Sequence, residues 1–318
     1  MTIYLREEHV RELLTMPETI AALEQAFRDQ ATGAAAVYPR TRLRAGGAAL
    51  QLMPAVVPGL GGMGYKTYAT SAGTRAKALV TYYDTTTGHL GAIIEANRLG
   101  QMRTGAASGV ATKYQARPDA QTVGIIGTGY QARTQLAAVC AVRDIRRVQA
   151  FSRNPEHRTF FAEQMSKELG VEVVPVNSAQ EAVQGSAIVV VITNSSQPVL
   201  SGEWLAPGQH INAAGGNALI RRELDEEAVR RASLITVDDR EQARLECADL
   251  WQAVERGLLN WEQTVELADV VAGRIPGRAS PQDITLFESQ GIGLWDIAAA
   301  AVVYRKALER GLGDTLPF

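Results

Sequence analysis

The ten residues Val123-Gly-Ile-Ile-Gly-Thr-Gly-Tyr-Gln-Ala132 constrain this chain more than any other stretch. Their short apolar run reads as a buried strand, and Gln131–Val142 behind it reads as a helix. Between the two, a G-x-G-x-x-A pattern falls at Gly127, Gly129 and Ala132. Each small residue has its own task in such a turn. Gly127 permits the tight bend, Gly129 lets the backbone approach a pyrophosphate, and Ala132 lets the helix pack close on the strand. The pyrophosphate then rests on the helix N-terminus, where backbone N–H groups and the dipole favour an anion. The segment is therefore expected to bind a dinucleotide, with Thr128, Tyr130 and Gln131 completing the turn.

The surroundings supply the context this motif needs. Beyond Ala116-Arg-Pro-Asp119, β-like runs at Val123–Ile126, Val148–Ser152, Val171–Val176, Ile188–Thr193, His210–Ala213 and Leu234–Val237 have helical segments between most of them. One of these, Pro155–Leu169, is opened by proline in its first turn. Strands alternating with helices predict a parallel sheet with helices on both faces. The first part of the chain is mixed. It has an amphipathic helix at Pro17–Ala31, a turn-rich, strand-like stretch from Tyr38 to Ile94, and an Ala- and Gly-rich helix at Leu99–Tyr114. The last helix, Leu294–Glu309, is apolar enough to be buried and has no strand after it, so it is expected to pack back on the first domain. The fold class is thus α/β. A Rossmann-type parallel-sheet domain over 117–293 joins a discontinuous α+β domain made of 1–116 with 294–318, for substrate binding and dimerisation.

In this architecture the second strand ends where the adenosine ribose lies, and an NAD site usually has an acid there. Here the stretch is Ala150-Phe-Ser-Arg-Asn154, with no acid. Ser152 can donate to a 2′-phosphate, and Arg153 can pair with it and stack on adenine. NADP is favoured over NAD; the competing reading has Arg153 as a solvated loop residue and NADH as cofactor. Composition narrows the remaining classes. The 32 Lys+Arg nearly balance the 34 Asp+Glu, which argues against a nucleic-acid partner. Two distant cysteines, Cys140 and Cys247, make neither a disulfide framework nor a zinc site. Cys140 reads as a small apolar helix residue. No long apolar run suggests a membrane span or a secretory leader, so a cytoplasmic protein is expected.

Four further segments complete a pattern: Met53-Pro-Ala55, Gly64-Tyr-Lys66, Met102-Arg-Thr-Gly-Ala-Ala-Ser108, and Ile211-Asn-Ala-Ala-Gly215 followed by Arg222-Glu-Leu-Asp225. With Gly127–Ala132 and the tail Leu286-Phe-Glu-Ser-Gln-Gly291 and Asp296-Ile-Ala-Ala-Ala, the chain resembles the ornithine cyclodeaminase/mu-crystallin family from about Arg40 to Tyr304. The resemblance implies an NAD(P)-dependent enzyme acting on small α-amino or α-imino acids, and a homodimer built on the first domain. It maps the family's carboxylate-binding groups onto Arg40, Lys66 and Arg103, with Arg42 and Arg44 as neighbours that could replace Arg40. Thr104, Thr193, Asn194, Asn212 and Gly215 join the candidate cofactor contacts.

These residue types suit the chemistry. Arginine grips a carboxylate with two parallel hydrogen bonds. Lys66 is one of only five lysines against 27 arginines, and it sits among small and aromatic residues. A buried ammonium there needs an anionic partner, which a substrate would be. The bland readings are a strand-edge Lys66 and a helix-surface Arg103 paired to an acid. The chain departs from the family at Asn217, which stands where cyclodeaminases carry an Asp after the Asn-Ala-x-Gly turn. An amide hydrogen-bonds but is no general base near neutral pH. Elimination of ammonia needs proton transfers at nitrogen, whereas reduction of a protonated imine does not. The expectation is an imino-acid reductase, with Lys66 and Asn217 at the reacting centre. A cyclodeaminase and a low-turnover cofactor-binding protein are the alternatives. The four histidines show no paired ligand spacing, so no metal is expected.

Overall fold

Antiparallel and parallel pairing separate along the chain. The computed structural model describes residues 2–73 and 76–318, which leaves out Thr74 and Arg75 of the strand-rich stretch. The chain divides into two units: the part up to Ala106 with Ile292–Phe318, and Ala107–Gly291. The division falls inside the helix Asn97–Gln115, not at the Pro118 turn that the sequence suggests as a boundary. That turn only ends the helix.

In the first unit, β1 (Ile3–Leu5), β2 (Ala36–Val37), β3 (Thr41–Ala45), β4 (Ala48–Val57), β5 (Gly62–Ser71), β6 (Ala78–Asp84) and β7 (Leu90–Glu95) form one sheet with the short strand Asp314–Thr315. Its centre is the antiparallel run β4-β5-β6-β7, in which Met53, Lys66, Val80 and Ile94 lie opposite one another on one face. The helices Met16–Ala31 and Gly293–Arg310 pack together, and the second lies on this sheet. The first starts with a capping box between Thr15 and Glu18 and buries Ile20, Leu23 and Phe27. The second meets β4 so closely that a Cβ on Gly293 would lie 2.5 Å from the Met53 carbonyl oxygen. Phe27 meets Trp295 edge to face at 6.0 Å, and Lys306 bonds Glu18 at 2.8 Å.

The second unit is a parallel sheet of β8 (Thr122–Ile126), β9 (Arg147–Phe151), β10 (Glu172–Pro175), β11 (Ile188–Val191), β12 (His210–Ala213), β13 (Leu234–Val237), β14 (Val265–Glu266) and β15 (Thr285–Glu288). Its order is β10-β9-β8-β11-β12-β15-β13-β14. From β8 the chain runs outward through β9 to β10 and then returns to β11 on the other side. The order therefore reverses between β8 and β11, and such sheets bind ligands outside the strand C-termini at that point. Two core clusters lie in this unit, one around Leu136, Phe161 and Met165 and the other around Leu200, Leu224 and Leu250. No helix among the described residues is long and apolar enough to cross a membrane.

Candidate active site

The first unit gathers charge around one helix position. Asp296, fully buried in Gly293–Arg310, receives Lys66 Nζ between its oxygens at 2.9 and 2.8 Å. Arg103 Nε lies 3.0 Å from its Oδ1. Both cations are buried, and Arg103 also stacks 5.5 Å from the Trp295 ring. Burial and the neighbouring charge of Arg103 push Lys66 down to about 7, against the pull of Asp296. Arg40 is buried as well, with Nε 3.4 Å from Met53 Sδ, and its charge depresses Lys66 further. Arg42 is only half-buried and Arg44 is exposed on the hairpin, so Arg40 is the one of the three that the fold encloses. Lys66 is thus no strand-edge lysine and Arg103 no surface arginine. The paired acid of Arg103 exists, but inside the core.

Two buried cations on one carboxylate, with the buried Arg40 near enough to act on Lys66, leave a formal excess of positive charge. Arg103 Nη1 is buried with no hydrogen-bond partner among the described residues. An unpaired buried donor is costly, so the arrangement suits an incoming anion with two acceptor oxygens. Thr104, next on the same helix, is half-buried and donates to the Gly100 carbonyl.

The second unit places the Gly-rich turn at the end of β8. Gly127 has φ +105°, and a Cβ there would lie 2.2 Å from the Ile192 carbonyl oxygen, so only glycine fits. Gly129 faces open space, where a Cβ would meet nothing within 4 Å. The helix Ala132–Val142 begins directly after Gln131, and the fully buried Ala132 packs in the core cluster that also holds Val123 and Ile125 of β8. A small residue at the turn, room above it and a helix start together fit a diphosphate. Tyr130 is half exposed beside the turn. Thr128 Oγ1 donates to Ser152 Oγ at 2.8 Å, linking the ends of β8 and β9, while Arg153 is exposed and no acid stands there.

The remaining candidates divide by exposure. Asn194 is exposed past the end of β11, and Asn217 is exposed in the loop after β12. Thr193 and Gly215 are half-buried, and both are held by Glu223. Asn212 is buried inside β12; its amide donates to Thr112 and its oxygen meets His210 at 3.3 Å, so this side chain is committed within the fold. His210 is buried and pushed down to about 3 by desolvation, which keeps it neutral. Burial pushes the Cys140 thiol up to about 12. Among the described residues no group of three or more His, Cys, Asp and Glu could hold a metal ion.

A profile of the ornithine cyclodeaminase/mu-crystallin family matches residues 2–311. The chain belongs to this family. It is 36% identical to a Delta(1)-pyrroline-2-carboxylate reductase of Bacillus cereus, over 97% of each chain. Among solved structures, the Thermococcus litoralis Delta(1)-pyrroline-2-carboxylate reductase in complex with NADH and L-proline superposes with a TM-score of 0.94 at 37% identity, covering 99% of this chain and 100% of the other. An archaeal alanine dehydrogenase dimer with bound NAD gives 0.93 at 34%, covering 100% and 99%. The family's α/β architecture, with a parallel sheet beside a separate antiparallel-rich one, is the one described above.

Within this family member, two buried acids escaped sequence reasoning. In the sequence Asp296 is visible only as part of the tail motif, yet it is the counter-ion of both Lys66 and Arg103. Its signal was a single acid in the otherwise apolar run Leu294–Val303. Glu223 likewise stood only as part of a motif.

Proposed function

We propose that the chain is an NAD(P)H-dependent reductase of α-imino acids, giving L-amino acids, and in reverse an amino-acid dehydrogenase. The observation that carries this reading is the buried cation excess of Lys66 and Arg103 on Asp296 with the buried Arg40 beside Lys66. The reduced nicotinamide supplies hydride to the C=N carbon. Arg103 presents its fork to the substrate carboxylate, and Lys66 and Arg40 add positive charge in a site of low dielectric, where it acts strongly. Asp296 holds Lys66 and Arg103 in place. Asn217 puts an amide where an acid would otherwise move protons at nitrogen, which favours reduction over loss of ammonia. The reductase and dehydrogenase relatives, which interconvert imine and amine, support the same chemistry.

Ser152, Arg153 and the missing acid after β9 support NADP over NAD. An apolar outer face of the first sheet supports a homodimer. Leu50, Leu52, Pro54, Tyr65, Leu79 and Ile93 share that face and stay partly or fully exposed.

The test is a panel of cyclic imino acids, and of α-keto acids with ammonia or methylamine, assayed with NADPH and NADH. Consumption of NAD(P)H with formation of the matching amino acid is expected, with the lower KM for NADPH. Ser152→Asp should reverse that preference, because a carboxylate repels a 2′-phosphate and accepts from a 2′-hydroxyl. Proline formed from ornithine, without imine reduction, would falsify the reductase reading.

A further inference from the structure

Glu223, in the segment between β12 and β13, is only 1% exposed. Its Oε1 accepts from the Thr193 N–H at 2.5 Å and from Thr193 Oγ1 at 2.7 Å. Its Oε2 accepts from the Gly215 N–H at 2.7 Å. Thr193 follows the end of β11 and Gly215 follows the end of β12. One carboxylate therefore bridges two successive loops on the C-terminal edge of the parallel sheet. The loops are packed so closely that a Cβ on Gly215 would lie 2.3 Å from the Thr193 carbonyl oxygen and 2.5 Å from Glu223 Oε1. Glu223 is itself held, since its N–H and that of Leu224 both donate to Asp249 Oδ1 at 3.0 Å.

We propose that Glu223 is a positioning residue for the nicotinamide half of the cofactor cleft, setting the spacing of the loops after β11 and β12. This rests on the dinucleotide reading given above. The turn after β8 holds the diphosphate and the end of β9 meets the adenosine. The next loops along the sheet, those after β11 and β12, are left for the other half of the dinucleotide, on the far side of the switch point. A carboxylate is suited to the task because it accepts through both oxygens and has no donor to turn against the N–H groups. Glutamine has the same size but only one acceptor oxygen, so one loop would lose its anchor.

The experiment uses the full chain, wild type and Glu223→Gln, and measures dissociation constants for NADPH, NADH, ADP and 2′,5′-ADP. The last two probes reach only the β8 turn and the end of β9. We expect Glu223→Gln to weaken NADPH and NADH by about tenfold or more, the scale of a lost hydrogen bond to a charged group, with ADP and 2′,5′-ADP within about twofold of wild type. Thr193→Val removes the hydroxyl's bond to Glu223 and the bond that Thr193 Oγ1 accepts from the Ser195 N–H, and should give the same split at about threefold, while Thr193→Ser, which keeps both bonds, should stay near wild type; the pair decides the matter if Glu223→Gln does not fold. Equal weakening of all four probes, or of none, overturns the positioning role while leaving the dinucleotide reading intact. Failure of the wild type to bind any of the four overturns that reading and the proposal with it.

Discussion

The first unit buries Lys66 and Arg103 on a single acid with Arg40 beside Lys66, whereas the second buries three acids so close that Glu223 raises Asp249 and both raise Glu288. The bonds of the acids end within their own fold, although Glu288 Oε1 has no hydrogen-bond partner among the described residues. Glu223 and Asp249 accept from backbone N–H groups, and Glu288 has Cys247 Sγ and Gln290 Nε2 at 3.4 Å. The cations differ in what they leave open: Arg103 keeps an unpartnered donor, which calls for an acceptor from outside the cluster. A buried charge whose bonds end within the chain shapes a loop. A buried cation with a donor left over suits an anionic ligand. The two clusters also differ in the sign of their pH dependence. Lys66 is pushed from 10.5 down to about 7, so between those values the unfolded chain binds more protons and stability rises with pH. Asp249 is pushed from 3.8 up to about 7 by burial, so across that window the folded chain binds more protons and stability falls as pH rises.

If the comparison holds, the largest effects belong to the cations. Lys66→Met removes charge at similar volume and should lower kcat/KM for an imino acid by about 10²-fold or more, roughly 3 kcal/mol of transition-state binding. Arg103→Lys keeps charge but loses the planar fork, and a loss of similar order is expected. NADPH affinity should stay near wild type in both. Steady-state kinetics beside cofactor titration checks this, and near wild-type kcat/KM in either variant removes that residue from the site.

How much of this was legible beforehand follows from how local each signal is. The β8 turn could be read because its glycines, strand and helix are contiguous. Lys66 and Arg103 were found through short motifs. Asp296 was not assigned, since its partner Lys66 lies 230 positions away and nothing local says which buried group an acid meets. Glu223 escaped for the same reason, its bonds running to Thr193 and Gly215 in separate loops. The strand Thr285–Glu288 was missed because it is buried on both faces, so it shows no alternation, and because it enters the sheet out of chain order between β12 and β13. The unit boundary was misplaced because proline marks the end of a helix, not the change of packing partners within it.

An intermediate effect is expected at Asp296. Asp296→Asn keeps the shape but removes the charge that holds Lys66 up, so Lys66 should fall further below about 7. On the role proposed for Lys66, the kcat/KM profile of the free enzyme should fall with rising pH, because a neutral Lys66 no longer attracts the substrate carboxylate. In the variant this limb should move to lower pH, with a plateau about tenfold lower because two cations lose their orienting partner. A limb set only by the pKa of the imine would not move, so an unchanged profile would assign the pH dependence to the substrate.

The smallest effect should come from the acid cluster at Asp249. Its two hydrogen bonds from the Glu223 and Leu224 N–H groups both end on Oδ1, and an asparagine oxygen can accept them equally well. Asp249→Asn therefore keeps the geometry while removing a buried negative charge that faces Glu223 and Glu288, at the cost of its weak 4.0 Å pairing with Arg222. Replacing a buried ionisable group with a neutral one of the same shape can be neutral or stabilising, provided its bonds are kept. Cofactor affinity and kcat/KM should stay within about twofold of wild type, below the scale of one lost hydrogen bond. At pH 5, where Asp249 is protonated in the fold but already ionised in the unfolded chain, the thermal midpoint should be only slightly above wild type. At pH 8 it should be higher than wild type, since the cost of ionising this cluster has been reduced. Melting curves at the two pH values decide the point. A midpoint that drops at both would mean that the acid's charge, not its oxygen, holds the loop, and the contrast between the two clusters would then be one of sign alone.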